Sequence, residues 1–149
     1  MQLAHGDMWD VFGQADLFLI TTNGVVNGGR LVMGAGVARQ ARDRFPGLDA
    51  ALGRAAAAAG SSYGLLVSPR WPAARLGAFQ TKGHWREGSS PALIGLAARK
   101  LLAWCREHPD ARVHLNLPGV GCGGLDRSAV LPLLGSLPDA VTVWSWREP

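Results

Sequence analysis

Strands and helices alternate along this chain of 149 residues, and the alternation predicts an α/β layer architecture. Two apolar runs end in glycine-dense loops, Val32-Met33-Gly34-Ala35-Gly36-Val37-Ala38 and Leu117-Pro118-Gly119-Val120-Gly121-Cys122-Gly123-Gly124-Leu125-Asp126, and each is followed by a helical pattern. Loops of this kind in open α/β sheets fall beyond the carboxyl ends of strands, where ligands bind. With 48% hydrophobic residues the chain is rich enough in apolar side chains to form one domain over 1–149 with a real core.

The elements follow in order. Leu17 to Thr22 is a short apolar run entered from Asp16 and left through Asn23-Gly24, and reads as a buried strand. Asn27-Gly28-Gly29 is a hairpin turn leading into Arg30-Leu31-Val32. Val37 to Phe45 has helical spacing, with Val37, Ala38, Ala41 and Phe45 on one face, and stops at Pro46-Gly47. Leu48 to Ala59 is an alanine-rich helix ended by Gly60, and alanine's helix propensity accounts for its low complexity. Two strands, Tyr63 to Ser68 and Ala74 to Gln80, flank a turn at Pro69 to Pro72. Ser89-Ser90-Pro91 caps a long helix reaching about Glu107, with Ile94, Ala97, Ala98, Leu101 and Leu102 facing inward. Arg112 to Leu117 is the strand that feeds the second glycine loop, Asp126 to Leu134 a short helix, and Ala140 to Trp146 a last strand.

Composition narrows the function classes. Cys105 and Cys122 provide neither a disulfide framework nor metal-ligand spacing, so a reducing cytoplasm is expected and no metal or other cofactor. The opening Met1-Gln2-Leu3-Ala4-His5-Gly6-Asp7 lacks the basic and apolar regions of a secretion leader, and no apolar run is long enough to span a bilayer. A net charge of +4 allows weak nucleic-acid contact, but the basic residues form no run.

Glycines let backbone N–H groups converge on one concavity, and a helix N-terminus behind them adds positive partial charge, the combination that cradles a phosphate. Two such loops suggest one diphosphate held from both sides. Neither is a Walker loop, and the six-residue dinucleotide fingerprint is absent, which disfavours a nicotinamide oxidoreductase. Asn23 is either a turn former or a donor and acceptor for a sugar hydroxyl. Asp7, before Met8 and Trp9, is either a turn aspartate or a recognition carboxylate. Thr81-Lys82-Gly83-His84-Trp85-Arg86 occupies a polar break before the long helix. Its lysine is either a solvated charge or an amine whose pKa neighbouring cations lower to make it a nucleophile. Asp126 is either a helix N-cap or an acid/base partner.

Taken in order, these pieces resemble a macrodomain, the ADP-ribose-binding α/β/α module, over nearly the whole chain. The resemblance implies three layers around a central mixed, mostly parallel sheet. It implies that Asp7 and Met8 lie at the adenine, that Asn23 faces the distal ribose, and that Trp144 in the last strand lies near the adenine. Met33, Gly34, Ala35, Gly36 and Val37 would form the first phosphate loop; Gly119, Val120, Gly121, Cys122, Gly123, Gly124 and Leu125 would form the second.

Two motifs narrow the branch. Phe79-Gln80-Thr81-Lys82-Gly83-His84-Trp85-Arg86 and Gly121-Cys122-Gly123-Gly124-Leu125-Asp126 are similar to those of terminal ADP-ribose protein glycohydrolase and of the antitoxin that removes ADP-ribose from DNA thymidine. By this resemblance Lys82 is the catalytic lysine and Asp126 its acidic partner. The implied partners are ADP-ribose and ADP-ribosylated DNA or protein, with no membrane. The activity implied is hydrolysis of ADP-ribosyl linkages; a non-catalytic reader and a hydrolase of O-acetyl-ADP-ribose are the alternatives. Three features depart from the branch. Gly24 to Val32 is longer than the antitoxin's connection, the second loop lacks the antitoxin's asparagine, and the antitoxin's toxin-binding region is not expected.

Overall fold

The computed structural model of the protein describes residues 1–146. Six strands form one sheet in the order β1 (Gln2–His5), β8 (Val141–Ser145), β7 (Val113–Asn116), β2 (Leu17–Thr22), β6 (Leu76–Gln80), β5 (Leu65–Val67). Every neighbouring pair is parallel except β5 with β6. The other two strands, β3 (Val26–Asn27) and β4 (Arg30–Leu31), pair with each other in an antiparallel hairpin.

The central strand shows why its sequence is apolar without interruption. Leu17, Phe18, Leu19 and Ile20 are all fully buried, but they alternate between two cores. Phe18 and Ile20 pack with Ala38 and Ala41 of α1 (Gly36–Arg44) and with Leu52 and Ala56 of α2 (Leu48–Ala59). Leu17 and Leu19 pack with Ile94, Ala97 and Leu101 of α3 (Pro91–Glu107). A parallel strand covered on both faces has no polar side to show. The result is a mixed, mostly parallel sheet between two helical layers, as expected.

Several boundaries differ from expectation for local reasons. β1 is an edge strand whose Gln2, Leu3 and His5 are exposed, so no buried run announces it. Trp9 lies in the first turn of a 3₁₀ helix, Met8–Gln14, and packs with Phe12, Phe18 and Phe45. On α3 the fifth buried residue is Cys105, while Leu102 is only half-buried. The expected helix from Asp126 to Leu134 is a single turn, α4 (Arg127–Val130), followed by a 3₁₀ segment at Leu131–Leu134 that holds Pro132. No helix among the described residues is long and apolar enough to cross a membrane.

The long connection from Gly24 to Val32 is the β3–β4 hairpin, and α2 packs on it through Gly53. A Cβ at Gly53 would overlap the Gly29 carbonyl oxygen and stand 2.8 Å from Arg30 Cα. Alanine at a helix interior ordinarily stabilises by about 1 kcal/mol relative to glycine. Here two backbones would have to separate, and overpacking costs about 1–3 kcal/mol. Gly53→Ala is therefore expected to lower the urea unfolding midpoint; a raised midpoint would show that the hairpin yields freely.

Candidate functional site

The sheet divides at its carboxyl edge. β2 pairs with β7 only from Leu17↔Val113 to Leu19↔Leu115. Beyond that point β2 stays with β6 as far as Thr22↔Gln80, and β7 stays with β8 as far as Asn116↔Trp144. The backbone N–H of Thr21 is thereby deprived of a strand partner. The Asn116 side chain supplies one, its Oδ1 accepting from Thr21 N at 3.0 Å while its Nδ2 donates to Thr21 Oγ1 at 2.8 Å. A cleft of about 1200 Å³ opens over this division, with Thr21, Thr22, Asn116 and Leu117 at its base.

The two glycine loops form opposite walls. Met33, Gly34, Ala35, Gly36 and Val37 line one; Gly119, Val120, Gly121, Cys122 and Gly123 line the other. Behind the first loop stands α1, whose N-cap Ala35 has no side-chain oxygen to occupy the first N–H groups. These donors are orphans of the helix and free to meet an anion. The second loop owes less to a helix. Its Gly121–Gly123 segment is a 3₁₀ turn, and α4 behind it has only four residues, too short for much of a macrodipole. Positive φ values of 58° at Gly36 and 77° at Gly121 explain why glycine stands at both. The only charged side chains on the walls, among the described residues, are Lys82 and Arg127, both cations.

A small recess adjoins the cleft, lined by Gly6, Asp7, Met8, Trp9, Val37, Asn116, Trp144, Ser145 and Trp146. Asp7 caps the 3₁₀ helix, its Oδ1 accepting from Trp9 N at 3.0 Å. Trp9 is pinned in turn by its aromatic neighbours and by Nε1 donating to Gln40 Oε1 at 2.7 Å. The carboxylate is thus fixed in direction with its second oxygen free of that bond. Trp144 lines both spaces and donates from Nε1 to His114 Nδ1 at 2.9 Å.

Asn23 is buried in the cleft wall and ties its own loop together. Nδ2 donates to Val32 O at 3.0 Å and Oδ1 accepts from Val25 N at 2.9 Å. Each end keeps one further hydrogen-bonding position, so turn former and ligand contact are compatible roles. The Tyr63 hydroxyl donates to Asn23 O at 2.6 Å and also contacts Thr22 Oγ1, and burial holds its pKa well above the usual phenol value.

Lys82 stands on the cleft wall because its loop is held by backbone contacts. Gln80, fully buried, accepts from Gly64 N at 2.9 Å and donates to Ser61 O at 2.7 Å and to Lys82 O at 3.0 Å. Gly24 N donates to Gly83 O at 2.9 Å, and a Cβ on Gly24 would stand 2.8 Å from Gln80 Nε2. The Lys82 amine donates to Cys122 O of the second loop at 3.3 Å. Asp126 is placed differently. It is exposed, occupies the N-cap position of α4 without a side-chain capping bond, and is not among the lining residues; Arg127 is. Gly124 and Leu125 also lie off the wall, Leu125 packing close to Gly119. The structure therefore gathers Lys82, both loops, Asn23 and Trp144 around one cleft, sets Asp7 and Met8 in the adjoining recess, and does not bring Asp126 to the lysine. Thr21, Thr22, Thr81, Trp85, Ser89, Asn116 and Arg127 are lining residues that the sequence did not assign to the site. Of these, Asn116 carried a signal: a polar residue at the carboxyl end of an apolar strand. Among the described residues no three His, Cys, Asp or Glu side chains are grouped to hold a metal.

Solved macrodomains share this architecture. That of Mycobacterium tuberculosis DarG is 26% identical, with a TM-score of 0.74 over 96% of this chain and 97% of that one. The chain folds as a macrodomain. The macrodomain of Thermus aquaticus DarG is 24% identical, with a TM-score of 0.72 over 99% of this chain and 97% of that one. Thermosipho africanus DarTG, solved in complex with ADP-ribose, is 22% identical with a TM-score of 0.73, the match covering 97% of this chain and 41% of that longer one. No family model and no curated protein matches the sequence.

The His114–Trp144 bond predicts a pH dependence of stability. A histidine accepting at Nδ1 is neutral, with its proton on Nε2. Burial lowers the His114 pKa below the ordinary imidazole value, and Arg112 adds to this while Asp16 opposes it. A depressed histidine contributes stability above its unfolded pKa and loses it as pH falls toward the folded one. As pH drops from about 7.5 to about 5, across the unfolded imidazole pKa, the unfolding free energy is expected to fall more in the parent than in His114→Gln, whose amide oxygen can still accept from Trp144. Equal losses in the two proteins would remove His114 from the account.

Proposed function

We propose that the cleft binds ADP-ribose, with adenine in the recess by Asp7 and Trp144, the diphosphate between the two glycine loops, and the distal ribose toward Asn23 and Lys82. The observation that carries this reading is the pairing of two glycine loops in a cleft whose charged wall residues, among the described residues, are the cations Lys82 and Arg127. ADP-ribosylated DNA or protein would present the same moiety.

Beyond binding, the reading assigns Lys82 to hydrolysis of the ADP-ribosyl linkage. Opening of the ribose ring leaves C1 bonded to the nitrogen or oxygen of the modified group. The unprotonated lysine amine adds to C1, that bond breaks, and the departing group takes a proton. Water then hydrolyses the imine and restores the amine. The bond from Lys82 Nζ to Cys122 O keeps the amine at the second loop, beside the space given to the ribose. Asp126 would serve as the proton-transfer group, which requires its solvent-exposed side chain to turn inward when ligand binds. Its place off the wall in the free protein favours a second reading, a binding module without turnover.

Two expectations follow from these assignments. Nothing lies within 4 Å of a Cβ added at Gly121 or at Gly36, so a valine would extend into open space at the cleft wall, in a backbone region that branched residues disfavour. Gly121→Val is expected to keep a cooperative unfolding transition while calorimetric ADP-ribose binding is lost. Undiminished binding would place the diphosphate elsewhere.

Lys82→Ala is expected to bind ADP-ribose within about 1 kcal/mol of the parent and to lose turnover by about 10³-fold or more, because an amine acting on C1 works in the transition state. The assay is a panel of ADP-ribosylated DNA, ADP-ribosylated protein and acetylated ADP-ribose, with borohydride trapping of the imine. Turnover at the parental rate in Lys82→Ala removes the lysine mechanism; no turnover by the parent on any substrate leaves the binding module.

A further inference from the structure

The sequence places two serines before Pro91, and only one of them caps α3. Ser90 Oγ accepts from Leu93 N at 3.2 Å. Ser89 is buried to 9% exposure, and its Oγ is the one buried side-chain polar atom among the described residues that has no hydrogen-bond partner. An orphaned buried hydroxyl is costly and calls for an explanation.

Its surroundings supply one. Ser89 lines the cleft. Its backbone is fixed to the second glycine loop, Ser89 N donating to Gly123 O at 2.9 Å, and to the lysine loop through its neighbour, Ser90 N donating to Thr81 O at 2.8 Å. The hydroxyl rests in the notch left by Gly123, where an added Cβ would overlap Ser89 Oγ and stand 3.1 Å from Ser89 Cβ. A Cβ on Gly119 would likewise press on Ser89 Cβ, at 3.3 Å. The residue is held at its backbone while its oxygen remains free to rotate among staggered positions. Lys82 Nζ, bonded to Cys122 O, marks this as the lysine end of the cleft, away from the recess at Asp7.

On the reading that ADP-ribose occupies the cleft, we infer that Ser89 is a ligand-binding residue. Its hydroxyl turns out of the Gly123 notch and donates to an oxygen of the distal ribose, so that a donor unsatisfied in the free protein is satisfied in the complex. A residue of this kind shows opposite effects in the two states. Removing its oxygen relieves the free protein and weakens the complex, whereas a hydroxyl that serves the fold weakens the free protein and leaves the ligand alone.

The test is Ser89→Ala, with urea unfolding of the ligand-free protein and calorimetric titration by ADP-ribose and by ADP, which lacks the distal ribose. The expected result is an unfolding midpoint equal to or above the parent's, ADP-ribose affinity reduced roughly 2- to 10-fold, and ADP affinity unchanged. A lowered midpoint with an unchanged ratio of ADP-ribose to ADP affinity would overturn the inference, since the hydroxyl would then serve the free protein. An unchanged midpoint with an unchanged ratio would overturn it as well. If the parent binds neither ligand, the occupancy of the cleft by ADP-ribose fails, and Ser89's role fails with it; if the parent binds ADP-ribose and only the ratio is insensitive to Ser89, the role alone fails.

Discussion

The separation of β2 from β7 beyond Leu19 and Leu115 is the constraint on which the site depends. Two parallel strands that stop pairing leave backbone donors and acceptors bare, and in a buried sheet such groups are costly. Asn116 resolves the problem at Thr21 with a side chain that both donates and accepts. The division can then persist at the base of a cleft without closing. Strand order does the rest: β2 lies between β7 and β6, and the chain after β2 leads to α1 in one core while the chain after β7 leads to Leu125 and Val130 in the other. This is how a crevice forms at the carboxyl edge of an α/β sheet.

The walls are built by close backbone approach more than by side chains. Gly24 and Gln80 lock the loop after β2 to the loop after β6, so that Asn23 and Lys82 are carried by one hydrogen-bonded unit. Ser89 and Gly123 join that unit to the second glycine loop. The parts that would meet a ligand are therefore mechanically connected around the cleft, although they come from residues 100 positions apart along the chain. With Lys82 and Arg127 as the charged wall residues, the electrostatics favour an anion, and the glycines leave room for it to reach the backbone N–H groups.

Much of this was legible in the sequence. The apolar run at Leu17–Ile20, the glycine loops and the serine-proline start of α3 each follow a local rule, and each formed as read, because burial on two faces, freedom at positive φ and capping act over a few residues. Where the rules ran out, a distant partner decided. β1 is held by β8, across most of the chain, and its own residues carry no buried pattern. The helix expected from Asp126 is interrupted at Pro132, and its single α-helical turn leaves the second loop with little dipole.

By itself the sequence determined the α/β layer architecture and the two glycine loops, because these rest on hydrophobic period and on glycine's conformational range; it singled out the lysine segment through resemblance. Only the tertiary structure decided which polar residues share the cleft. Asn116 and Asn23 both stand at strand ends, yet one bridges the divided sheet and the other closes its own loop. Ser89 and Ser90 are adjacent and chemically identical, yet one caps a helix and the other faces the glycine wall without a partner. Lys82 reaches the second glycine loop while Asp126 faces solvent. Those choices depend on where a side chain's hydrogen-bonding atoms meet groups from remote segments, and residue type and spacing carry no such distances.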